Sequence, residues 1–143
     1  MQRLLTGIKV LELGGIGAAP FVGTLLRDLG AESVLRVDPP PSKIRPVFPT
    51  MQDTVTLPPM DMIRGRKSIC IDLKKEEGAM IMQDLCLAHD ILIDPYRPGV
   101  LENFSQELAP SHLCHLNPKL IVARLTGYGQ TGSMIHKGGH DIN

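Results

Sequence analysis

The chain is poor in aromatic residues, with three Phe, two Tyr and no Trp among 143 residues. That removes the flat side chains on which single-stranded bases stack. It also lacks an excess of charge. Fifteen Lys and Arg balance fifteen Asp and Glu, so no broad field points to nucleic acid or to an anionic membrane. Local basic clusters remain free to hold a small anion. No apolar run approaches the ~20 residues that a membrane-spanning helix needs. The three cysteines, Cys70, Cys86 and Cys114, are odd in number and far apart. Without a Cys-x-x-Cys or Cys/His ligand spacing they read as reduced, small hydrophobes. Met1 to Gly7 has no apolar signal-peptide core.

What remains suits one domain with a workable core. Ile8 to Leu13 is a short apolar run, followed at once by Gly14-Gly15-Ile16-Gly17. Val22, Leu25, Leu26 and Leu29 then fall on one helical face. Pro20 suits the first turn of that helix and Gly30 the position just past its end. Ala31 to Val37 reads as a second strand, so the opening is a strand-helix-strand unit with a parallel pair. Residues 39–63 carry Pro39, Pro40, Pro41, Pro46, Pro49, Pro58 and Pro59. They read as one long, stiff surface excursion. Ser68–Leu73 predicts a third strand, Lys74–His89 a helix, and Asp90–Asp94 a fourth strand. Short helices follow at Val100–Phe104 and Ala109–Leu116, then a fifth strand at Leu120–Leu125. Five strands alternating with helices predict an α/β domain: a Rossmann-like, mostly parallel sheet flanked by helices. Ligands of such sheets bind beyond the C-terminal strand ends. The unusual stretches Gly14–Pro20, Asp38 onward, Pro95–Gly99 and Thr126–His140 collect there. Arg64-Gly65-Arg66-Lys67 precedes its strand and must cross the sheet edge to join them.

Three motifs are candidates for chemistry. Gly14-Gly15-Ile16-Gly17 fails the G-x-G-x-x-G spacing, since Pro20 stands where a third glycine belongs, which argues against a nicotinamide dinucleotide. Two readings of it stand side by side. One is a tight turn for close strand-helix packing. The other is a set of helix N-terminal amides for an anion or a developing oxyanion. Arg64, Arg66 and Lys67 are either a solvated basic edge or a phosphate grip that Arg97 joins. His140-Asp141 follows the pair Gly138-Gly139. By composition alone such a histidine is a surface residue. A helix starting at Asp141 would instead keep the imidazole neutral and available as a base. His89, His112, His115 and His136 have no comparable setting and read as surface residues.

Taken in order, these motifs resemble the family III CoA-transferases, the CaiB/BaiF family, along essentially the whole chain. The resemblance rests on Gly7-Ile8-Lys9-Val10-Leu11-Glu12-Leu13 with Pro20-Phe21, and on Gly30-Ala31-Glu32 running to Arg36-Val37-Asp38. It rests equally on Arg64-Gly65-Arg66-Lys67-Ser68 with Ile71-Asp72-Leu73-Lys74, and on Arg97-Pro98-Gly99-Val100. Gly127-Tyr128-Gly129-Gln130-Thr131-Gly132 followed by Gly139-His140-Asp141-Ile142-Asn143 resembles the branch that racemises 2-methylacyl-CoA thioesters.

The resemblance implies removal of the α-proton, an enolate, and return of a proton on the opposite face. The thioester carbonyl acidifies that proton, so no metal and no cofactor beyond the CoA moiety of the substrate is implied. His140 is then one acid/base group, and its partner is an aspartate beyond residue 143. CoA contacts are implied at Arg36, at Arg64, Arg66 and Lys67 leading into Cys70, Ile71, Asp72 and Leu73, at Arg97, and at Gly139, Asp141, Ile142 and Asn143. Pro39 departs from the basic residue often found after the Val-Asp pair, and the following loop is longer than usual. Lys43 is a candidate to compensate. Residues 1–143 correspond to the N-terminal part of the CoA-binding α/β domain. A second domain lies further on in the family, whose members form interlocked homodimers in the peroxisome or mitochondrion. The expected partner is an acyl-CoA, not nucleic acid or membrane, and residues 1–143 alone are expected to lack racemase activity. Two alternatives stand beside this reading. One is a CoA-transferase, although an aromatic residue is typical there where His140 stands. The other is a non-catalytic CoA-binding remnant.

Overall fold

Val10, Leu11, Glu12 and Leu13 are all fully buried, which places their strand between two layers. That strand, β1 (Lys9–Leu13), is the middle of a five-stranded sheet. The computed structural model describes residues 3–40 and 62–139. After β1 come α1 (Ala18–Asp28), β2 (Ser33–Asp38), β3 (Lys67–Cys70), α2 (Glu76–Leu87), β4 (Ile91–Asp94), α3 (Val100–Phe104), α4 (Pro110–Leu116) and β5 (Ile121–Arg124). A 3-10 turn, Gln106–Leu108, joins α3 to α4. The spatial order is β3-β2-β1-β4-β5 and every pairing is parallel. The chain thus builds outward from β1 in one direction and returns to its other side for β4. The switch point lies between β1 and β4.

The two-residue period of the strands sorts the core into two layers. Val10, Val34 and Ile93 meet Ala19, Val22 and Leu26 of α1. Leu11, Leu13, Val37 and Leu92 meet Met82 and Cys86 of α2 and Leu101, Leu108 and Leu113 beyond it. Gly30 closes α1 at φ +98, and Ala31 N–H donates back to Leu26 O at 3.1 Å, so the chain turns directly into β2.

The predicted elements are all present, and α3 has the predicted bounds. Most other boundaries shift by a residue or two, and two of the shifts, at β3 and α2, share one cause. β3 ends at Cys70 because Ile71 and Leu73 turn inward, at 6% and 7% exposure, to fill the core from a turn. That turn, with Lys75 N–H donating to Asp72 O at 3.0 Å, delays α2 until Glu76. The 3-10 turn has no counterpart in the predicted elements. Ser105 Oγ accepts from Glu107 N–H at 3.2 Å to open it, and Leu108 is fully buried. Most of the proline-rich excursion, residues 41–61, lies outside the described residues. Among the described residues no helix is long and apolar enough to cross a membrane.

Candidate functional site

Parallel strands put all their C-terminal ends on one side of the sheet, and the turns leaving β1, β4 and β5 meet there. A cleft of about 530 Å³ opens between them. Ile16 and Gly17 form one wall, Pro95 and Arg97 a second, Thr126 and Gly127 a third, and Lys137 to Gly139 close it. Three close approaches depend on glycine. A Cβ on Gly14 would lie 2.6 Å from Asp38 Oδ1, one on Gly15 2.7 Å from Pro95 Cγ, and one on Gly139 2.6 Å from Gly127 Cα. Gly14 N–H also donates to Val37 O at 2.7 Å. Of the two readings of Gly14–Gly17, the tight packing turn accounts for these contacts.

The turns are braced from below by buried acids. Glu12, at 0% exposure, sits on the α1 side of the sheet. Its Oε1 accepts from Arg36 Nη1 at 2.7 Å, and its Oε2 lies 3.1 Å from Arg66 Nε, a charge contact outside hydrogen-bond geometry. Arg36 Nε donates to Asp38 Oδ2 at 2.9 Å and its Nη2 to Gly15 O at 3.2 Å. The guanidinium therefore ties the end of β2 to the turn after β1. Arg66 donates to the carbonyls of Pro20 and Met62 and to Thr24 Oγ1. Room for this pair comes from Gly23, where a Cβ would fall onto Glu12 Oε2. Burial pushes the Glu12 carboxyl up and the Arg66 guanidinium down, while each holds the other toward its charged form.

Asp94 does the same under the β4 turn. It is fully buried, accepts from Tyr96 N–H at 2.9 Å and from Arg124 Nε at 3.0 Å. Burial raises its pKa, against the pull of the Tyr96 N–H and Arg124. Tyr96 packs edge-on against Phe104, ring centroids 5.6 Å apart, and burial next to Asp94 pushes its phenol up to about 12. Arg97 follows on this fixed turn.

The residues expected to contact CoA divide accordingly. Arg97 and Gly139 share the cleft. Arg36 and Arg66 are buried in ion pairs. Arg64 is exposed and pairs with Asp28, at the opposite end of α1 from the cleft. Lys67 and Cys70 are exposed at the two ends of the edge strand β3. Ile71 and Leu73 have their side chains in the core, and Asp72 is half-buried, with Oδ1 accepting from Lys74 N–H at 3.3 Å. The expected gathering of Arg64, Arg66 and Lys67 at the C-terminal sheet edge is thus corrected. The buried Glu12 carboxylate draws Arg66 under α1, and the segment splits. His140, Asp141, Ile142 and Asn143, with Lys43, lie outside the described residues. His89 is also corrected: it is half-buried, with Nδ1 2.6 Å from Leu85 O and its carbonyl accepting from Asn117 Nδ2 at 3.1 Å.

Three residues escaped the sequence reading. Glu12 had a signal, a lone acid inside an apolar strand. Gly23 had a weaker one, a glycine in mid-helix. Lys137, a cation just ahead of Gly138-Gly139, had none until the fold placed it in the cleft. A cleft with two cations and, among the described residues, no acid in its lining suits an anionic ligand.

Residues 5–143 match the family model described as CoA-transferase family III. The chain is 42% identical to human alpha-methylacyl-CoA racemase over 97% of its own length and 32% of that protein. It is 37% identical to the alpha subunit of succinyl-CoA–L-malate CoA-transferase of Chloroflexus aurantiacus, over 96% of this chain and 32% of that one. A CAIB/BAIF family protein from Brucella suis superposes with a TM-score of 0.80 at 33% identity, over 99% of this chain and 38% of that one. A hypothetical protein of Mycobacterium tuberculosis gives 0.78 at 35% identity, over 99% and 38%. The chain spans about a third of the length of the curated relatives it matches.

Proposed function

The chain belongs to CoA-transferase family III, and from that premise we propose that it racemises 2-methylacyl-CoA thioesters, as part of a longer, two-domain, dimeric assembly. The carrying observation is positional. His140 follows directly on Gly139, which lines the cleft at the switch point. A thioester held there would have its α-carbon close to the segment that continues in sequence from Gly139 into His140. The neutral imidazole takes the α-proton and the electron pair moves onto the thioester oxygen as an enolate. An acid on the other face then returns a proton to carbon. By family resemblance that acid is an aspartate beyond residue 143. Asp141, next in the chain to His140, has no natural reach to the opposite face of the same carbon. The 42% identity to human alpha-methylacyl-CoA racemase supports this reading.

A second reading, CoA transfer between carboxylic acids, draws support from the 37% identity to the succinyl-CoA–L-malate enzyme. A chimera separates the two: residues 1–143 replace the matching third of the human racemase, with circular dichroism to verify folding. The racemase reading expects deuterium to enter the α-position of 2-methylacyl-CoA from D2O, and this to be lost in His140→Ala. Transfer of CoA to a free carboxylic acid without α-exchange would refute it.

A further inference from the structure

Most of the arginines near the sheet are matched by acids. Arg36 faces Glu12 and Asp38, Arg66 faces Glu12, Arg124 faces Asp94 and Glu102, and Arg64 faces Asp28. The cleft breaks this pattern. Arg97 and Lys137 line it together, none of its lining residues is acidic, and neither cation forms an ion pair among the described residues. Lys137 is also anchored. Its backbone N–H donates to Met134 O at 2.8 Å, and Gly139, two residues on, lies against Gly127 at the floor of the same cleft. The remaining walls, Ile16, Pro95 and Leu125, are apolar. Two cations from different segments converge on a concave surface that has apolar sides and, among the described residues, no acid. That arrangement complements a ligand whose anionic oxygens adjoin an apolar stretch.

We propose that Lys137 is a substrate-binding residue that works with Arg97 to hold an anionic group of the CoA thioester in this cleft. The inference rests on the acyl-CoA reading of the preceding subsection. Two sources supply such oxygens: the phosphates of CoA, and a carboxylate at the far end of an acyl group.

Titration calorimetry on the 143-residue chain tests the proposal with two probes, CoA and succinyl-pantetheine, which has the carboxylate but no phosphate. Lys137→Gln is expected to weaken at least one probe about fivefold, the size of one partly exposed ion pair. It should also reduce the salt dependence of Kd. Lys137→Arg should restore binding to within about twofold. Lys75→Gln, an exposed lysine outside the cleft lining, should leave both unchanged. A loss confined to CoA assigns the phosphates, and a loss confined to succinyl-pantetheine assigns the acyl carboxylate. Unchanged affinity of Lys137→Gln for both probes, with wild-type binding intact, overturns the proposal alone. Absence of CoA binding by the folded wild-type chain overturns the acyl-CoA reading and the proposal with it.

Discussion

Replacing Glu12 with leucine strands a buried guanidinium, and the size of the effect follows from who keeps a partner. Arg36 loses its 2.7 Å contact with Glu12 but retains Asp38 at 2.9 Å. Arg66, with a side chain only 2% exposed, keeps the hydroxyl of Thr24 at 3.0 Å and two backbone carbonyls but no carboxylate among the described residues. Leucine is close to glutamate in volume, so the cavity term is small. Breaking a buried pair from one side costs about 3–5 kcal/mol. Domains of this size have about 5–15 kcal/mol in total, so the urea midpoint should fall by about 2 M. Adding Arg66→Met removes the stranded charge, and the double variant should recover about 2–3 kcal/mol relative to the sum of the two single losses. Urea unfolding of all four forms, followed by far-ultraviolet circular dichroism, supplies the cycle. A loss below about 1 kcal/mol for Glu12→Leu, or no coupling with Arg66→Met, would refute the account of this network.

Three further expectations follow from the same geometry. In Gly139→Ala the new methyl would meet Gly127 Cα at 2.6 Å. The tail should shift and CoA affinity fall about tenfold with an unchanged melting temperature, since both glycines are exposed; a large drop in melting temperature would contradict this. Burial pushes the Cys86 thiol and the Tyr96 phenol each up to about 12. The unfolded chain therefore loses these protons first as pH rises. Their stabilising contribution is whole below about pH 9 and disappears toward pH 12, by roughly 4 kcal/mol for the thiol. Urea midpoints that stay level from pH 7 to 10.5, or a slope that Cys86→Ala leaves untouched, would count against it. Finally, residues 1–143 should fold and bind CoA yet leave the α-proton of 2-methylacyl-CoA in place, and NMR-detected exchange in D2O by this chain would overturn that.

The legible features were those that local chemistry dictates. Gly99 at φ +82 opens α3 and the extended Ser105 ends it, and Pro98-Gly99 announces that boundary in the sequence. Alternating strands and helices announce a parallel sheet. They do not announce its order, which is set by where β4 docks after α2. The sequence overextends β3, because Ile71 and Leu73 continue its alternation. Their side chains reach the core from a turn, and a two-residue period cannot tell a paired strand from an inward-pointing turn. The basic segment failed for a related reason. Composition gives three cations between residues 64 and 67, but not which carboxylate each one meets. Glu12 decides that for Arg66 from a strand far away in sequence, through a gap in α1 that exists because residue 23 has no side chain.

The same buried acids explain why a chain of zero net charge can present a positively charged cleft. Glu12 and Asp94 stand in the two strands that flank the switch point, and each is neutralised internally by arginine. Their negative charge is therefore matched one layer below the surface. Above them the turns after β1, β4 and β5 contribute glycine, proline and aliphatic groups to the cleft and, among the described residues, no acid. Arg36 reaches up from the first network to Gly15 O, and Asp94 reaches from the second to Tyr96 N–H. Each acid thus holds the backbone of one wall while its charge stays screened from the ligand by its own arginines. Arg97 and Lys137 are exposed in a partly apolar recess and have no ion-pair partner among the described residues, so an arriving anion meets their positive field. Overall charge balance and local selectivity for anions are compatible here because the fold separates them by depth.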